Sequence, residues 1–252
     1  MGLPHSQALS RPTRPQVSVI HSNDSLAKRG WTSEIIFCRD EDRDKVYRHP
    51  CGRAGAYISR VNPGNLRDET GYFQMLRKLV RHGVAGLPHP DAMINYGAKK
   101  DAVEKLKGTD IVPTGVRCYY DFDTFKAEFP KSLVNGVRIA RQNRGSTGEG
   151  IWRVVALAKP SNGDGTIAPS AMVKYTEAKD NRVETMHLRQ FIDFCVQYLD
   201  GDGGMILDMP FLERITEGVI RIFMLRNKVV NNFHKKPAVT PGAFSATLFT
   251  KS

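Results

Sequence analysis

The residues best suited to chemistry are gathered in one run, Arg141-Gln142-Asn143-Arg144-Gly145-Ser146-Thr147-Gly148-Glu149-Gly150-Ile151-Trp152. Three glycines within six residues (Gly145, Gly148, Gly150) let a backbone adopt positive φ and turn its N–H groups toward a ligand. Arg141 and Arg144 add guanidinium donors matched to phosphate oxygens. The implied chemistry is a phosphate cradle running from Gly145, Ser146 and Thr147 to Gly148 and Gly150. A Gly-rich β-hairpin with no ligand has the same composition, so both readings stand at this point. The spacing is neither that of a Walker loop nor that of a GxGxxG opening a helix.

Such a loop needs strands on both sides, and the flanking sequence supplies them. Residues 137–141 and 152–158 read as two antiparallel strands around the loop. Before them come a strand at 116–120 and a helix at 121–129 opened by the capping residue Asp121. After them come a strand at 171–175 and an amphipathic helix at 186–199, with Leu188, Phe191, Ile192, Cys195 and Leu199 on its inner face. Strands at 205–209, 219–225 and 228–233 complete an α+β order with antiparallel strands and flanking helices.

Upstream of Pro113 the pattern differs. Short strands are expected at 34–38 and 56–61, and a helix from Glu69 that buries Phe73, Leu76, Leu79 and Val80 until His82-Gly83 ends it. A short helix at 101–106 is closed by Gly108. Residues 1–30, rich in Ser, Pro, Arg and Asn, read as a flexible arm. The expected division is therefore an arm (1–30), a smaller α/β region (31–112) and the loop-bearing domain (113–252).

Composition narrows the function classes. The 252 residues are 40% hydrophobic and 25% charged, with no uncharged apolar run of the length a membrane span needs. Cys38, Cys51, Cys118 and Cys195 show no CxxC pairing, which suits reduced thiols and a cytoplasmic protein. Met1-Gly2 with Ser6 matches a loose myristoylation pattern, too short to decide anything. The net charge of +11 would suit a polyanion, yet Lys and Arg are interleaved with Asp and Glu rather than gathered in a stripe. No spacing pairs one of the seven histidines with a nucleophile; His82, His187 and His234 read as surface or packing residues.

The run at 141–152 resembles the lid of the ATP-grasp superfamily, in which a basic residue at a strand end precedes Pro-Asn-Arg-Gly-Ser-Gly-Gly-like residues and a strand opening with an aromatic. Here Arg141 stands where the family usually has lysine, and Gln142 where it has proline. The resemblance covers roughly residues 95–250 by segment order and is nearest to the glutathione-synthetase-like members. It implies an ATP-grasp fold and ATP with magnesium as cofactors. The partners it implies are a nucleotide and a small carboxylate substrate rather than nucleic acid or membrane, with homo-oligomerisation left open.

The same resemblance assigns residues. Lys99 or Lys100 would be a second cation near the phosphates, with two solvated lysines as the alternative. Met209, Phe211 and Leu212 would form the strand and hinge that hold adenine, or else be ordinary core, and Glu213 would lie near the ribose. Glu217-Gly218-Val219-Ile220-Arg221-Ile222-Phe223 is similar to the family strand whose arginine contacts transferred phosphate. Arg221 must point away from Ile220 and Ile222 by strand alternation, toward solvent or an anion. Lys235 and Lys236 would face an acyl phosphate. The family's magnesium-binding Asp, Glu and Asn set would follow this strand, whereas no Asp or Glu follows Glu217. The expectation is therefore an ATP-dependent carboxylate–amine or carboxylate–thiol ligase of ATP-grasp type, truncated at the C-terminus. The alternatives are an inactive nucleotide-binding homologue and, more remotely, a basic nucleic-acid binder.

Overall fold

Alternating apolar residues and well-capped helices generate a six-stranded antiparallel sheet with two helices packed on one face. The computed structural model describes residues 17–61, 66, 68–97, 100–144, 148–160, 165–201, 203–225 and 227–236. The chain divides into two compact units, Met1–Pro90 and Asp91–Ser252.

In the first unit, helix α1 (Val17–Ala27) is followed by α2 (Arg43–Arg48), β1 (Ala56–Ile58), α3 (Glu69–Arg81) and β2 (Ala85–Leu87). Part of the expected arm is thus helical. The stretch 17–27 contains neither Gly nor Pro, and Gly30 at φ 78° ends the turn that follows. β1 and β2 pair in parallel with α3 between them, a small βαβ unit. Asp68 caps α3 by accepting from the Gly71 N–H at 2.8 Å and from Arg43 Nη1 at 2.5 Å, and these bonds hold its carboxyl below the usual range. The helix buries Tyr72, Phe73, Met75, Leu76 and Leu79, while Val80 is only half-buried. The strand expected at 34–38 does not form, since among the described residues no neighbouring strand satisfies its backbone, and Ile36 and Phe37 lie exposed.

Helix α4 (Pro90–Ala92) lies at the division, and the second unit continues with α5 (Ala102–Lys105), β3 (Arg117–Tyr119), α6 (Phe122–Ser132), β4 (Arg138–Gln142) and β5 (Ile151–Ala156). Next come β6 (Met172–Glu177), β7 (Val183–His187), α7 (Leu188–Cys195), β8 (Ile206–Pro210), β9 (Val219–Leu225) and β10 (Lys228–Lys235). The large sheet has the order β3-β8-β4-β5-β6-β7, every neighbour antiparallel. β9 and β10 form a separate hairpin. The α+β reading with antiparallel strands is therefore correct.

Two boundaries differ from expectation. The unit break falls at 90/91 rather than near Pro113, because Val103 and Val112 pack against the buried cluster of Val116, Met205 and Leu207 and so tie residues 91–112 to the large sheet. Residues 183–187 are a strand, and α7 begins only at Leu188. Val183 pairs with Thr176 and Thr185 with Lys174, and His187 then caps the helix, donating its N–H to Gln190 Oε1 at 2.9 Å.

The core lies between the sheet and the pair α6 and α7. Ala140, Trp152, Val154, Val173 and Tyr175 from the strands meet Phe125 and Phe129 of α6 and Leu188, Phe191, Ile192 and Cys195 of α7. Trp152 and Phe191 cross edge to face at 6.3 Å, and Phe129 stacks on Phe191 at 5.9 Å. On this same face Asp208, with 0% exposure, accepts from Ser132 Oγ at 2.6 Å, Arg138 Nε at 2.7 Å and Tyr119 Oη at 3.0 Å. The four cysteines are free thiols. Among the described residues no helix is long and apolar enough to cross a membrane.

Candidate functional site

Strand alternation sends one set of residues into the helix-packed core and the other onto the opposite face of the sheet. Ala140 and Trp152 are core residues, so Arg141, Ile139, Ile151 and Arg153 point the other way. Register completes this second face. Arg141 lies opposite Leu207 and Ile151, Ile139 opposite Met209 and Arg153, and Val155 opposite Lys174. One sheet face therefore carries Arg141, Arg153 and Lys174 among Ile139, Leu207 and Met209.

Lys100 is delivered to this face from outside the sheet. Asn143, just past the end of β4, accepts the Lys100 N–H on Oδ1 at 2.7 Å and again on its backbone carbonyl at 3.2 Å. The side chain of Lys100 is half-buried, and burial, then the charge of Arg141, hold its ammonium below the ordinary lysine range. Burial likewise lowers Arg141. No carboxylate partner to either side chain is found among the described residues. Two half-buried cations that feel each other's charge, with no counter-charge among the described residues, favour a bound anion.

Beside them, the Arg153 guanidinium lies over the Phe211 ring at 4.9 Å from its centroid, and the Phe211 N–H bonds to the Val137 carbonyl at 3.0 Å. Met209 and Phe211 are half-buried rather than fully enclosed core. Leu212 is 49% exposed, and exposed Glu213 opens a short 3₁₀ turn at Glu213–Glu217.

The glycine run divides into two parts. Gly145, Ser146 and Thr147, like Lys99 upstream, lie outside the described residues. Arg144 is half-buried directly after Asn143. Gly148 and Gly150 are buried at φ 90° and 67°, and the Gly150 amide is already bonded within the fold. The Gly150 N–H is taken by Glu177 Oε1 at 3.1 Å and its carbonyl by the Gln142 N–H at 2.9 Å. A Cβ at Gly148 would meet the Ala178 carbonyl oxygen at 2.8 Å. These two glycines make the tight return into β5, Gly148 lying close against the turn after β6, and the occupied amide of Gly150 corrects its expected role as a ligand-facing donor.

The β9–β10 hairpin gathers the remaining residues. Arg221 pairs with Phe233 and Val219 with Lys235, so Arg221 and Lys235 share one hairpin face. Ile220, Ile222 and Met224 occupy the other, as alternation requires. The Arg221 guanidinium sits 5.7 Å from the Phe233 centroid, and Phe233 packs on Phe223 at 5.4 Å. Lys235 is half-buried, its ammonium lowered by burial and then by Arg221, while Lys236 is exposed beyond the strand. Among the described residues no group of three or more His, Cys, Asp or Glu side chains is placed to hold a metal ion.

Sequence reasoning gave no role to Arg153, Lys174 or Asn143. Alternation in β5 would place Arg153 opposite Trp152, but only the pairing of β4 with β5 shows that this is also the face of Arg141. No protein family, curated protein or solved structure matches the chain.

Proposed function

We propose that this chain is an ATP-binding protein of the ATP-grasp type, related to ATP-dependent ligases that join a carboxylate to an amine or thiol through an acyl phosphate. The observation that carries the reading is the pair Lys100 and Arg141, both half-buried, with the Lys100 backbone fixed at Asn143 two residues from Arg141 and no carboxylate partner to either side chain among the described residues. An extended polyphosphate laid along this face would meet Lys100 and Arg141, and the apolar surface of Ile139, Met209 and Phe211 offers a shelf for a flat base. On the hairpin, Arg221 and Lys235 share a face suited to a second anionic group.

The chain's own contribution to such a reaction is placement and charge. Arg141 and Lys100 hold phosphate oxygens, Arg221 and Lys235 receive the charge that builds on the transferred group, and no side chain has to act as nucleophile. Magnesium, when bound with ATP, neutralises phosphate charge.

Calorimetric titration of the chain with Mg-ATP, and with ATP in EDTA, tests the reading alongside Arg141→Met and Arg221→Ala. Saturable binding by the unaltered chain, weakened roughly tenfold or more by Arg141→Met, is expected for loss of a charge-assisted contact. Heat no different from dilution in both conditions would sink the proposal.

A further inference from the structure

Asn143 has a connectivity that nothing in its sequence position announces. It is 3% exposed. Its Oδ1 accepts the Lys100 N–H at 2.7 Å, with the Asp101 N–H further off at 3.4 Å, and its Nδ2 donates to the Gly203 carbonyl at 2.8 Å. Its own N–H bonds to the Met205 carbonyl at 3.0 Å, and its carbonyl accepts from Lys100. One buried side chain thus joins the end of β4, the entry to α5 and the entry to β8.

The consequence falls on Lys100. Two like charges, Lys100 and Arg141, repel at close range and lose hydration when half-buried, so something must hold them in register. No counter-ion among the described residues does so; the backbone of Lys100 is instead fixed by hydrogen bonds to Asn143, two residues along the chain from Arg141. We infer that Asn143 is a positioning residue: it holds Lys100 beside Arg141 and so assembles the cationic site before any anion arrives. The inference rests on the nucleotide-site reading for the identity of the anion, but not for the placement of Lys100.

Two measurements on the full chain separate these. The first reads placement without ligand: trace acetylation of Lys100 with acetic anhydride across alkaline pH, quantified by mass spectrometry. In the unaltered chain Lys100 acetylates with a midpoint below that of exposed lysines. In Asn143→Ala the midpoint rises toward the exposed lysines, and Asn143→Ser, which keeps a polar oxygen one bond nearer the backbone, falls between. An unchanged midpoint in a folded Asn143→Ala chain overturns the inference. If Asn143→Ala does not fold, the Asn143→Ser midpoint decides in the same way.

The second is a double-mutant cycle with inorganic tripolyphosphate as the probe at one fixed pH. Asn143→Ala is expected to weaken binding by about tenfold, the scale of one lost charge-assisted bond. In a Lys100→Met background the same substitution should cost little, because its effect runs through Lys100. Equal losses in the two backgrounds overturn the inference while leaving an anion site intact. If the unaltered chain binds no tripolyphosphate but the acetylation midpoint moves as expected, the nucleotide reading fails and the positioning role of Asn143 stands.

Discussion

Asp208→Asn is the substitution whose cost follows most directly from the structure. Asp208 is fully enclosed between the sheet and α6, and Arg138, 4% exposed, donates to it at 2.7 Å while reaching the Gly115 carbonyl at 2.6 Å. An asparagine has nearly the same shape, so the change removes the negative charge and leaves the Arg138 cation buried without its partner. Breaking a buried pair in this way costs about 3–5 kcal/mol. With about 2–4 °C of melting temperature per kcal/mol in a unit of this size, the expected loss is about 6–20 °C. Tyr119→Phe and Ser132→Ala each remove one neutral donor to the carboxylate and leave the charge pair intact, so each should cost less, about 1.5–3 kcal/mol.

The assay can be confined to the second unit. The chain has two tryptophans: Trp152 is 1% exposed in the core that contains Asp208, whereas Trp31 is 67% exposed in the first unit. Thermal and urea unfolding followed by tryptophan emission therefore report chiefly on Trp152, which keeps a separate transition of the first unit out of the measurement. If Asp208→Asn unfolds within about 1 kcal/mol of the unaltered chain, or no earlier than Tyr119→Phe, the buried pair does not hold the sheet to α6 as argued.

Two further outcomes are expected. Gly148→Ala should destabilise the second unit by roughly 1–3 kcal/mol, since φ of 90° is strained for an L side chain and the new Cβ meets the Ala178 backbone at 2.8 Å; an unchanged melting curve would show that the turn relaxes freely. Affinity for ATP in EDTA should fall as pH rises in the alkaline range below 10.5, because the folded protein lowers the Lys100 value and the anion binds the charged form. The sign for stability is the reverse: the unfolded chain binds the extra proton between the two values, so raising pH through the folded value relieves the cost of a charged Lys100. Calorimetry with Lys100→Met checks the assignment, since that variant should lose this alkaline fall.

Local chemistry alone determined most elements of this protein. The inner face of α7 (Leu188, Phe191, Ile192, Cys195) follows from helical spacing, and the course of β9 from an apolar and β-branched run interrupted only by Arg221. Asp121 and Asp68 mark helix starts because a carboxylate beside free N–H groups has few better partners. The opposition of Arg221 to Ile220 and Ile222 is a property of any strand. What the tertiary structure decided were relations between distant segments. The pairing of β4 with both β5 and β8 places Arg153, Met209 and Arg141 on one face, and a hydrogen bond across 43 residues brings Lys100 to it. The unpaired segment at 34–38, the added strand β7 and the hydrogen-bonded amide of Gly150 have the same origin. A strand exists only where a neighbour accepts its backbone, and an amide is free for a ligand only where no nearer acceptor has been folded against it.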